Sequence, residues 1–346
     1  MCNIDERRRS VDVATLTRAF QDAVAVTREL GVRFLWIDSL CIIQPHSGCS
    51  HSHECSQHED WDRESRKMDG YFGSAYCTIA ATFAGDSSAS LFRTRPTEPA
   101  VCVRAPNSAG LPLYVCEDFD KFPRDVNQAV LNRRGWVLQE RALSRRTIHF
   151  TSTQAYWECG AEFQSEALTI MGSAIDGFLA DSHFPSFIMG HPKIIRYLHA
   201  RRLIELYSDR EFTVPTDRSV AMFGLEKRLA KALETESRYG IFEGFLHRSL
   251  LWERAGDTRM RRITYPPYRK VPSWSWMAWE GKIFHMAISV GAVGWSSAIC
   301  GNISPESLSN GCDQQLIAPA REFSLFQHNQ GGMKDALIRR IRQIGS

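Results

Sequence analysis

Hydrophobic positions near the start of the chain alternate between helical and strand-like spacing. After Val13, apolar residues recur at near-helical intervals as far as Leu30, and Gly31 then supplies a helix stop. The run VRFLWIDSLCII, which begins at Val32, is continuously apolar and predicts a strand buried on both faces of a parallel sheet. AYCTIAATF, which begins at Ala75, predicts a second buried strand. Helices and buried strands in this order predict an α/β region.

The pattern changes farther along the chain. RGWVLQERALS, from Arg134, predicts a helix, and TIHFTSTQAYWEC predicts two paired strands. Longer amphipathic segments follow later, among them GIFEGFLHRSLLW, together with a Trp-rich strand segment, VPSWSWMAWEGKIF. We therefore expect an α/β domain over 1–160, a linker over 161–190, a mainly helical region with the Trp-rich segment over 191–290, and a poorly ordered tail over 291–346.

Composition limits the class of protein. The 346 residues are 43% hydrophobic and 23% charged. The formal net charge of only +3 does not call for a nucleic-acid partner, since nucleic-acid binders usually carry a concentrated basic surface. No apolar run approaches the roughly 18 residues that span a bilayer, and the start of the chain lacks a signal sequence. The ten cysteines are scattered, which is typical of reduced, buried thiols. We expect a cytoplasmic protein that contacts neither membrane nor nucleic acid.

One segment of the tail has a distinct pattern. KDALIRRIRQI, residues 334–344, is basic and amphipathic. Such a segment binds a partner or a membrane surface, or it is a solvated helix, and the pattern leaves these alternatives open.

The familiar catalytic motifs do not occur in the sequence. There is no GxGxxG, GxxxxGK[ST], GxSxG or HExxH pattern, so the common dinucleotide-binding, P-loop, serine hydrolase and zincin classes have no support. We predict no cofactor, and three local groups of residues remain as candidate sites.

The first group lies in a polar loop over residues 44–60. Cys49, His51, His53 and Cys55 are residue types that bind Zn²⁺, and four of them would complete a tetrahedral site. Their C-x-H-x-H-x-C spacing differs from the paired cysteines of zinc sites, and no second ligand pair follows. We therefore predict no metal site and keep this cluster as the alternative.

The second group is WIDSLC, which places Asp38 at the end of the predicted strand. Ligands of parallel α/β sheets gather at the carboxyl ends of strands, so this carboxylate is a candidate ligand-binding residue. The alternative is that Asp38 binds the backbone of the following turn.

The third group is WVLQERALS. Glu140 follows Trp136 by four residues, so both lie on one face of the predicted helix. A carboxylate beside an aromatic ring suits a ribose or a cationic sugar centre. The alternative is a salt bridge between Glu140 and Arg141, Arg145 or Arg146 on a solvated helix.

Three blocks in a fixed order carry a resemblance to a known family. FLWIDSLCIIQ, DWDRESRKMDGYFGSAYCTIAAT and RGWVLQERALSRRTIHFTSTQAYWEC closely resemble the fungal heterokaryon-incompatibility (HET) domain. The likeness continues through YSDREFTVPTDRSVAMFGL and PSWSWMAWEGKI, so it covers most of residues 12–285.

The resemblance implies both a fold and a function. HET domains are associated with cell death after fusion of genetically unlike hyphae, and they are regarded as distant relatives of Toll/interleukin-receptor (TIR) domains. This implies a TIR-like, flavodoxin-like and mostly parallel sheet, with protein partners or self-association. Some TIR domains cleave NAD with a glutamate four positions after a tryptophan. Glu140 is then the catalytic residue, Asp38 and Trp136 bind the ligand, and NAD is a substrate.

Two departures from the family pattern bear on this expectation. HET domains open with a strand resembling LSYCWG, which this sequence lacks, so we expect a domain truncated at its N-terminus. The cysteine- and histidine-rich loop is longer than the family's usual turn. The alternatives are a non-enzymatic oligomerisation or interaction module and an inactive, degenerate paralogue.

Overall fold

The fold is described from a computed structural model of the chain. It describes residues 4–43, 56–94, 101–103, 113–115, 121–160, 162–166, 170–172, 179, 181, 183–257 and 259–288. The chain forms two compact units. The first comprises Met1–Arg196 and Arg210–Glu234, and the second comprises Tyr197–Asp209 and Thr235–Ser346. The predicted tail over 291–346 lies outside the described residues.

The α-helices, in chain order, are α1 (Ile4–Arg9), α2 (Arg18–Glu29), α3 (Asp38–Cys41), α4 (Ser56–Ser65), α5 (Met68–Ser74), α6 (Gly135–Leu143), α7 (Ser186–Met189), α8 (Lys193–Ser208), α9 (Arg218–Ala221), α10 (Phe223–Leu233) and α11 (Leu246–Ser249). Single turns of 3₁₀ helix occur at Val13–Thr15, Leu131–Arg133, Pro215–Asp217, Glu243–Phe245, Pro267–Arg269 and Trp276–Ala278, and a π-helical turn occurs at Pro123–Asn127.

The strands are β1 (Thr78–Ala80), β2 (Val101–Val103), β3 (Leu113–Val115), β4 (Arg146–Phe150), β5 (Ala155–Cys159), β6 (Glu162–Ser165), β7 (Ile170–Gly172), β8 (Ser237–Arg238), β9 (Ile241–Phe242), β10 (Trp252–Arg254), β11 (Arg261–Arg262), β12 (Trp279–Glu280) and β13 (Ile283–His285). The sheet of the first unit has the order β1-β4-β5-β6-β7.

The pairing within this sheet corrects one prediction. The mixed α/β class is confirmed, but β1 and β4 are its parallel neighbours, whereas β4 to β7 pair antiparallel in succession. The predicted mostly parallel sheet is therefore wrong. Residues 151–154 alone join β4 to β5, and so short a connection joins only antiparallel strands. Strands β6 and β7 also lie inside the predicted linker, residues 161–190.

A second correction concerns the apolar run after Gly31. Residues 32–37 form no ladder with any described strand, and 38–41 are the short helix α3. Phe34 is 82% exposed, so the predicted burial on both faces is wrong. A strand needs a neighbour for its backbone N–H and C=O groups. Among the residues that the structure describes, none pairs with this segment.

Helix α2 packs against side chains of β1 and β4. It follows the extended Thr17, and Gly31 ends the turn after it with φ +66°, a conformation that costs glycine little. Its buried face carries Ala19, Ala23 and Val26. These residues form one hydrophobic cluster with Leu91 and Phe150. Partly buried hydrophobic side chains pack against this cluster: Phe20, Leu35, Ile79, Ala81 and Ile148.

Aromatic residues build the interior of the second unit. Trp276 and Tyr207 are fully buried and meet edge to face with ring centroids 5.8 Å apart. GIFEGFLHRSLLW, predicted as one amphipathic helix, instead runs through β9, a 3₁₀ turn and α11. The predicted Trp-rich strand segment contains β12 and the first two residues of β13.

No helix within the described ranges is long and apolar enough to cross a bilayer.

Candidate functional site

A large cleft lies in the first unit. Its volume is ≈ 1530 Å³, and it is bordered by α2, residues 32–37, α5, β1, α6 and residues 211–217. Asp38, Trp136 and Glu140, the three residues singled out from the sequence as catalytic or ligand-binding, all line it. The fold therefore brings together side chains that lie up to about a hundred residues apart in the sequence.

Helix α6 places Trp136 and Glu140 on the wall of the cleft. The helix begins at Gly135, whose N–H donates to the Glu211 carbonyl at 2.9 Å. A Cβ at Gly135 would lie 1.8 Å from the Phe212 ring, so only glycine permits this close approach. Four residues are slightly more than one helical turn, and both side chains consequently face the same cleft.

The Glu140 carboxylate is partly buried on the wall of the cleft. Among the described residues, no side chain forms a hydrogen bond or ion pair with it. Burial and the nearby charge of Asp38 raise the pKa of Glu140 to about 7, and Arg134 opposes this shift. The Glu140 carboxyl therefore gains and loses its proton near neutral pH.

The arginines beside Glu140 in the sequence are engaged elsewhere. Arg141 binds the Glu158 carboxylate with distances of 2.6 and 2.8 Å, and Arg146 donates to the Tyr76 carbonyl at 3.3 Å. Arg145 is exposed. The alternative interpretation of Glu140 as a helix-surface salt-bridge residue therefore has no support in these contacts.

Asp38 is the first residue of α3 and is exposed. Its Oδ1 accepts the N–H of Ser39 at 2.7 Å, so it binds the backbone of the following turn and lines the cleft at the same time. The two interpretations of this residue are compatible. The charge of Asp38 also acts on Glu140 and raises its pKa.

Aromatic rings form much of the cleft wall. Trp136 meets Trp61 edge to face with ring centroids 5.7 Å apart, and its Nε1–H donates to Asp217 Oδ2 at 3.3 Å. Trp36 packs against Tyr71 with ring centroids 5.1 Å apart. Sequence reasoning missed Trp36, Trp61 and Tyr71 as site residues. These three residues lie within the first two sequence blocks that resemble the family, and this position could have indicated them as site residues.

The comparison with known families bears on the same region. Residues 2–140 match the family model described as Heterokaryon incompatibility protein (HET). The chain carries a HET domain. No curated protein and no solved structure matches the chain. The domain indicates a function of the heterokaryon-incompatibility type, and its matched range includes Asp38, Trp136 and Glu140.

The candidate zinc cluster of the HET domain falls outside the described residues. Cys49, His51, His53 and Cys55 all lie between 44 and 55, which the structure does not describe. Across the part of the chain that is described, no three His, Cys, Asp or Glu side chains are grouped to hold a metal ion.

A buried polar network in the first unit does not line the cleft. Thr82 Oγ1 lies 3.1 Å from His149 Nδ1, and His149 Nε2 lies 2.9 Å from Glu158 Oε2. Hydroxyl, imidazole and carboxylate follow one another as in nucleophilic triads. Thr82 is 0% exposed and His149 2% exposed, so no substrate reaches them. We assign this network a structural role.

The raised pKa of Glu140 predicts an effect on stability that is independent of any activity. A carboxyl whose folded pKa is raised stabilises the fold fully below its unfolded pKa of about 4.3, and that contribution is lost as the pH rises through about 7. Glu140→Gln removes the titration. The quantity to compare is the unfolding free energy of the variant minus that of wild type. We expect this difference to be about 1–2 kcal/mol more favourable to the variant at pH 8 than at pH 5, after allowance for partial exposure.

Urea-induced unfolding at pH 5 and pH 8 measures this effect. Glu29→Gln is the matched control, because Glu29 is exposed at the end of α2, and its effect should be equal at both pH values. If Glu140→Gln also shifts stability equally at both pH values, the carboxyl does not have a raised pKa.

Proposed function

We propose that this protein acts in non-self recognition of the heterokaryon-incompatibility type, and that its HET domain promotes cell death by cleaving NAD. The proposal rests on one observation, the partly buried Glu140 carboxylate that no described side chain pairs with, on the wall of a large aromatic-lined cleft. An unpaired carboxylate with a raised pKa in a cleft is a functional-site candidate, because such a group does not stabilise the fold.

The reaction places specific demands on Glu140. The bond between nicotinamide nitrogen and ribose breaks, both electrons leave with nicotinamide, and positive charge develops on the ribose ring. An ionised carboxylate stabilises that charge. Water then adds to the ribose and releases a proton, so that NAD⁺ and water yield ADP-ribose, nicotinamide and H⁺. Since Glu140 must be ionised, the rate should rise with pH up to about 7 and level off above it.

The remaining residues of the cleft suit the substrate. The nicotinamide ring of NAD⁺ is a flat cation, and the faces of tryptophan rings attract such cations. Trp136 is held in position by Trp61 and by its bond to Asp217. Asp38 adds a negative charge that attracts the oxidised ring and holds the pKa of Glu140 up.

A second candidate function follows from the edge of the sheet. β1 pairs on one side only with a described strand, and the apolar Phe34 and Tyr76 are 82% and 56% exposed in the same cleft. Free strand edges and exposed apolar side chains are typical of surfaces that bind other chains. A non-enzymatic interaction module would use this edge and leave Glu140 without a chemical role.

Nicotinamide release from NAD separates the two candidates. We expect the purified full chain to release nicotinamide, with a rate that rises between pH 6 and pH 7.5. Glu140→Gln should lower kcat by about 100-fold or more, because it removes the charge that stabilises the transition state. Glu29→Gln, which removes an exposed carboxylate, should leave the rate unchanged.

Oligomeric state is measured in the same samples. Equal release by wild type and Glu140→Gln would refute the catalytic role of this residue. Absence of release from a folded protein at every oligomeric state obtained would favour the interaction module.

A further inference from the structure

The aromatic side chains that line the cleft form two groups. The first group consists of Trp61 of α4 and Trp136 of α6, which meet edge to face. The second group consists of Trp36, which precedes α3, together with Tyr71 and Phe72 of α5. Among the described residues, no ring pair joins one group to the other. The cleft therefore offers two distinct aromatic surfaces.

The rings of the second group are held in place by their neighbours. The Trp36 ring lies 5.1 Å from the Tyr71 ring and meets the Phe72 ring edge to face at 5.8 Å, measured between centroids. The Tyr71 hydroxyl donates to Glu64, whose carboxylate also lies 3.0 Å from the Lys67 ammonium. The bond to Glu64, together with burial, raises the pKa of Tyr71 to about 12, so the phenol remains a donor at neutral pH. A ring fixed in this way loses little conformational freedom when a ligand binds.

Both groups remain accessible to a ligand. All five rings are partly exposed and line the cleft. Nucleic-acid bases stack on such rings because every base has a π-face, and one stack strengthens binding by about 5- to 150-fold. Two separate aromatic surfaces in one cleft favour a ligand that carries two flat rings.

The volume of the cleft also suits such a ligand. Small-molecule sites usually enclose about 300–1,000 Å³, and this cleft measures ≈ 1530 Å³. NAD carries two flat rings, nicotinamide and adenine, joined through two riboses and a diphosphate. In the proposed reaction Trp136 and Glu140 contact the nicotinamide and its ribose. The second aromatic group has no part in that chemistry and is left for the adenine.

One cation of the cleft suits the diphosphate. Arg134 lines the cleft, and its charge lies near enough to Glu140 to oppose the rise in the pKa of that carboxyl. Its guanidinium forms no hydrogen bond or ion pair with any described side chain. Lys67, the other cation of the lining, is paired with Glu64, and the remaining charged side chains of the lining are carboxylates. Arg134 is therefore the best-suited group for a phosphate anion.

We propose that the cleft takes a whole dinucleotide, with the adenine ring stacked on Trp36 and the diphosphate beside Arg134. This inference rests on the proposed function, because it takes NAD as the ligand of the cleft. It adds the feature that sets the substrate class. Stacking on Trp36 selects dinucleotides over mononucleotides and ribosides, which carry nicotinamide without adenine.

Binding is measured by isothermal titration calorimetry on the full chain. ADP-ribose contains adenine, whereas nicotinamide mononucleotide does not. Every protein sample carries Glu140→Gln, so that neither ligand is cleaved during the titration. Adding Trp36→Leu keeps apolar bulk but removes the π-face. It should weaken ADP-ribose binding by about fivefold or more and change the affinity for the mononucleotide by less than about twofold.

Matched variants show whether the effect belongs to the ring. Trp36→Phe keeps a flat ring and should retain most of the affinity for ADP-ribose. Phe223→Ala removes an exposed ring that does not line the cleft, so it should leave both affinities unchanged. Circular dichroism of each variant checks that the fold is retained.

The reciprocal substitution tests which group serves which ring. Trp136→Leu removes the aromatic face beside Glu140, to which the cationic nicotinamide is attracted. We expect it to weaken binding of the mononucleotide more than binding of ADP-ribose. The opposite order in Trp36→Leu and Trp136→Leu would overturn the assignment of the two groups.

Three further outcomes would overturn the proposal. They are absence of ADP-ribose binding to the starting protein, unchanged ADP-ribose affinity in Trp36→Leu, and equal weakening of both ligands by Trp36→Leu. Nicotinamide release by wild type, with unchanged ADP-ribose affinity in Trp36→Leu, would refute this inference alone. ADP-ribose binding that depends on Trp36, without nicotinamide release, would refute only the cleavage reaction.

Discussion

Replacing Arg141 with methionine is expected to lower the unfolding free energy of the first unit by about 3–5 kcal/mol. Arg141 and Glu158 are 5% and 4% exposed, and two hydrogen bonds join the guanidinium to the carboxylate. The guanidinium also donates to Asn127 Oδ1 at 2.7 Å and lies over the Phe122 ring, 5.6 Å from its centroid. Methionine fills similar volume but leaves the Glu158 carboxylate buried without its cation.

The cost is large because burial opposes the charge of Glu158. Burial alone would raise the pKa of this carboxyl, and Arg141 and His149 outweigh burial and hold the pKa well below its usual range. Burial lowers the pKa of His149, so the imidazole does not supply a full positive charge in place of Arg141. Loss of Arg141 therefore forces Glu158 either to remain charged without a full partner or to take up a proton.

Urea unfolding followed by tryptophan fluorescence measures the loss, which corresponds to about 1–2 M in the midpoint. The double variant Arg141→Met/Glu158→Gln removes both charges and should recover much of the lost stability. Lys193→Met breaks the exposed ion pair with Glu234 and should leave the midpoint unchanged. If Arg141→Met is as stable as the double variant, the single substitution does not leave Glu158 as an uncompensated charge.

The second large effect is expected at Gly240, in the turn between β8 and β9. Tyr239 and Gly240 have φ values of +54° and +74°, as a two-residue type I′ hairpin turn requires. A Cβ at Gly240 would lie 2.5–2.6 Å from the indole of Trp276, which is fully buried. Gly240→Ala should therefore combine backbone strain with displacement of a core ring and cost about 3–4 kcal/mol.

Gly256→Ala separates these two contributions. Gly256 also has a positive φ, +53°, but nothing lies within 4 Å of the position of its Cβ. Its substitution should cost only the strain, about 1 kcal/mol. Near-ultraviolet circular dichroism should report a changed environment of Trp276 in Gly240→Ala alone. Equal losses of stability in the two variants would show that the clash is relieved without cost.

Local patterns predicted several elements correctly because their causes are local. The near-helical spacing and the stop at Gly31 predicted α2, and TIHFTSTQAYWEC predicted the pair β4 and β5, which a four-residue connection joins. The four-residue spacing of Trp136 and Glu140 predicted a shared helical face, and both line the cleft. In each case the deciding residues lie within about a dozen positions of one another.

The apolar run 32–43 shows a limit of prediction from local sequence patterns. Its composition favours a buried strand, but a strand exists only through hydrogen bonds to a neighbour distant in sequence. The structure gives 32–37 no described partner, and part of the run becomes α3. The sheet was also predicted to be mostly parallel, and this was wrong. The antiparallel strands β6 and β7 lie in a segment without clear periodicity, so no local pattern indicated them.

The sequence by itself determined the α/β character of the chain, the HET resemblance and the candidates Asp38, Trp136 and Glu140. Tertiary structure alone decided their environment. It directed Arg141 to Glu158, left Glu140 unpaired by any described side chain, and placed Asp38 and the rings of Trp36 and Trp61 around the same cleft. The reason is physical: burial and charge depend on distances between residues far apart in the chain, and these distances exist only after folding.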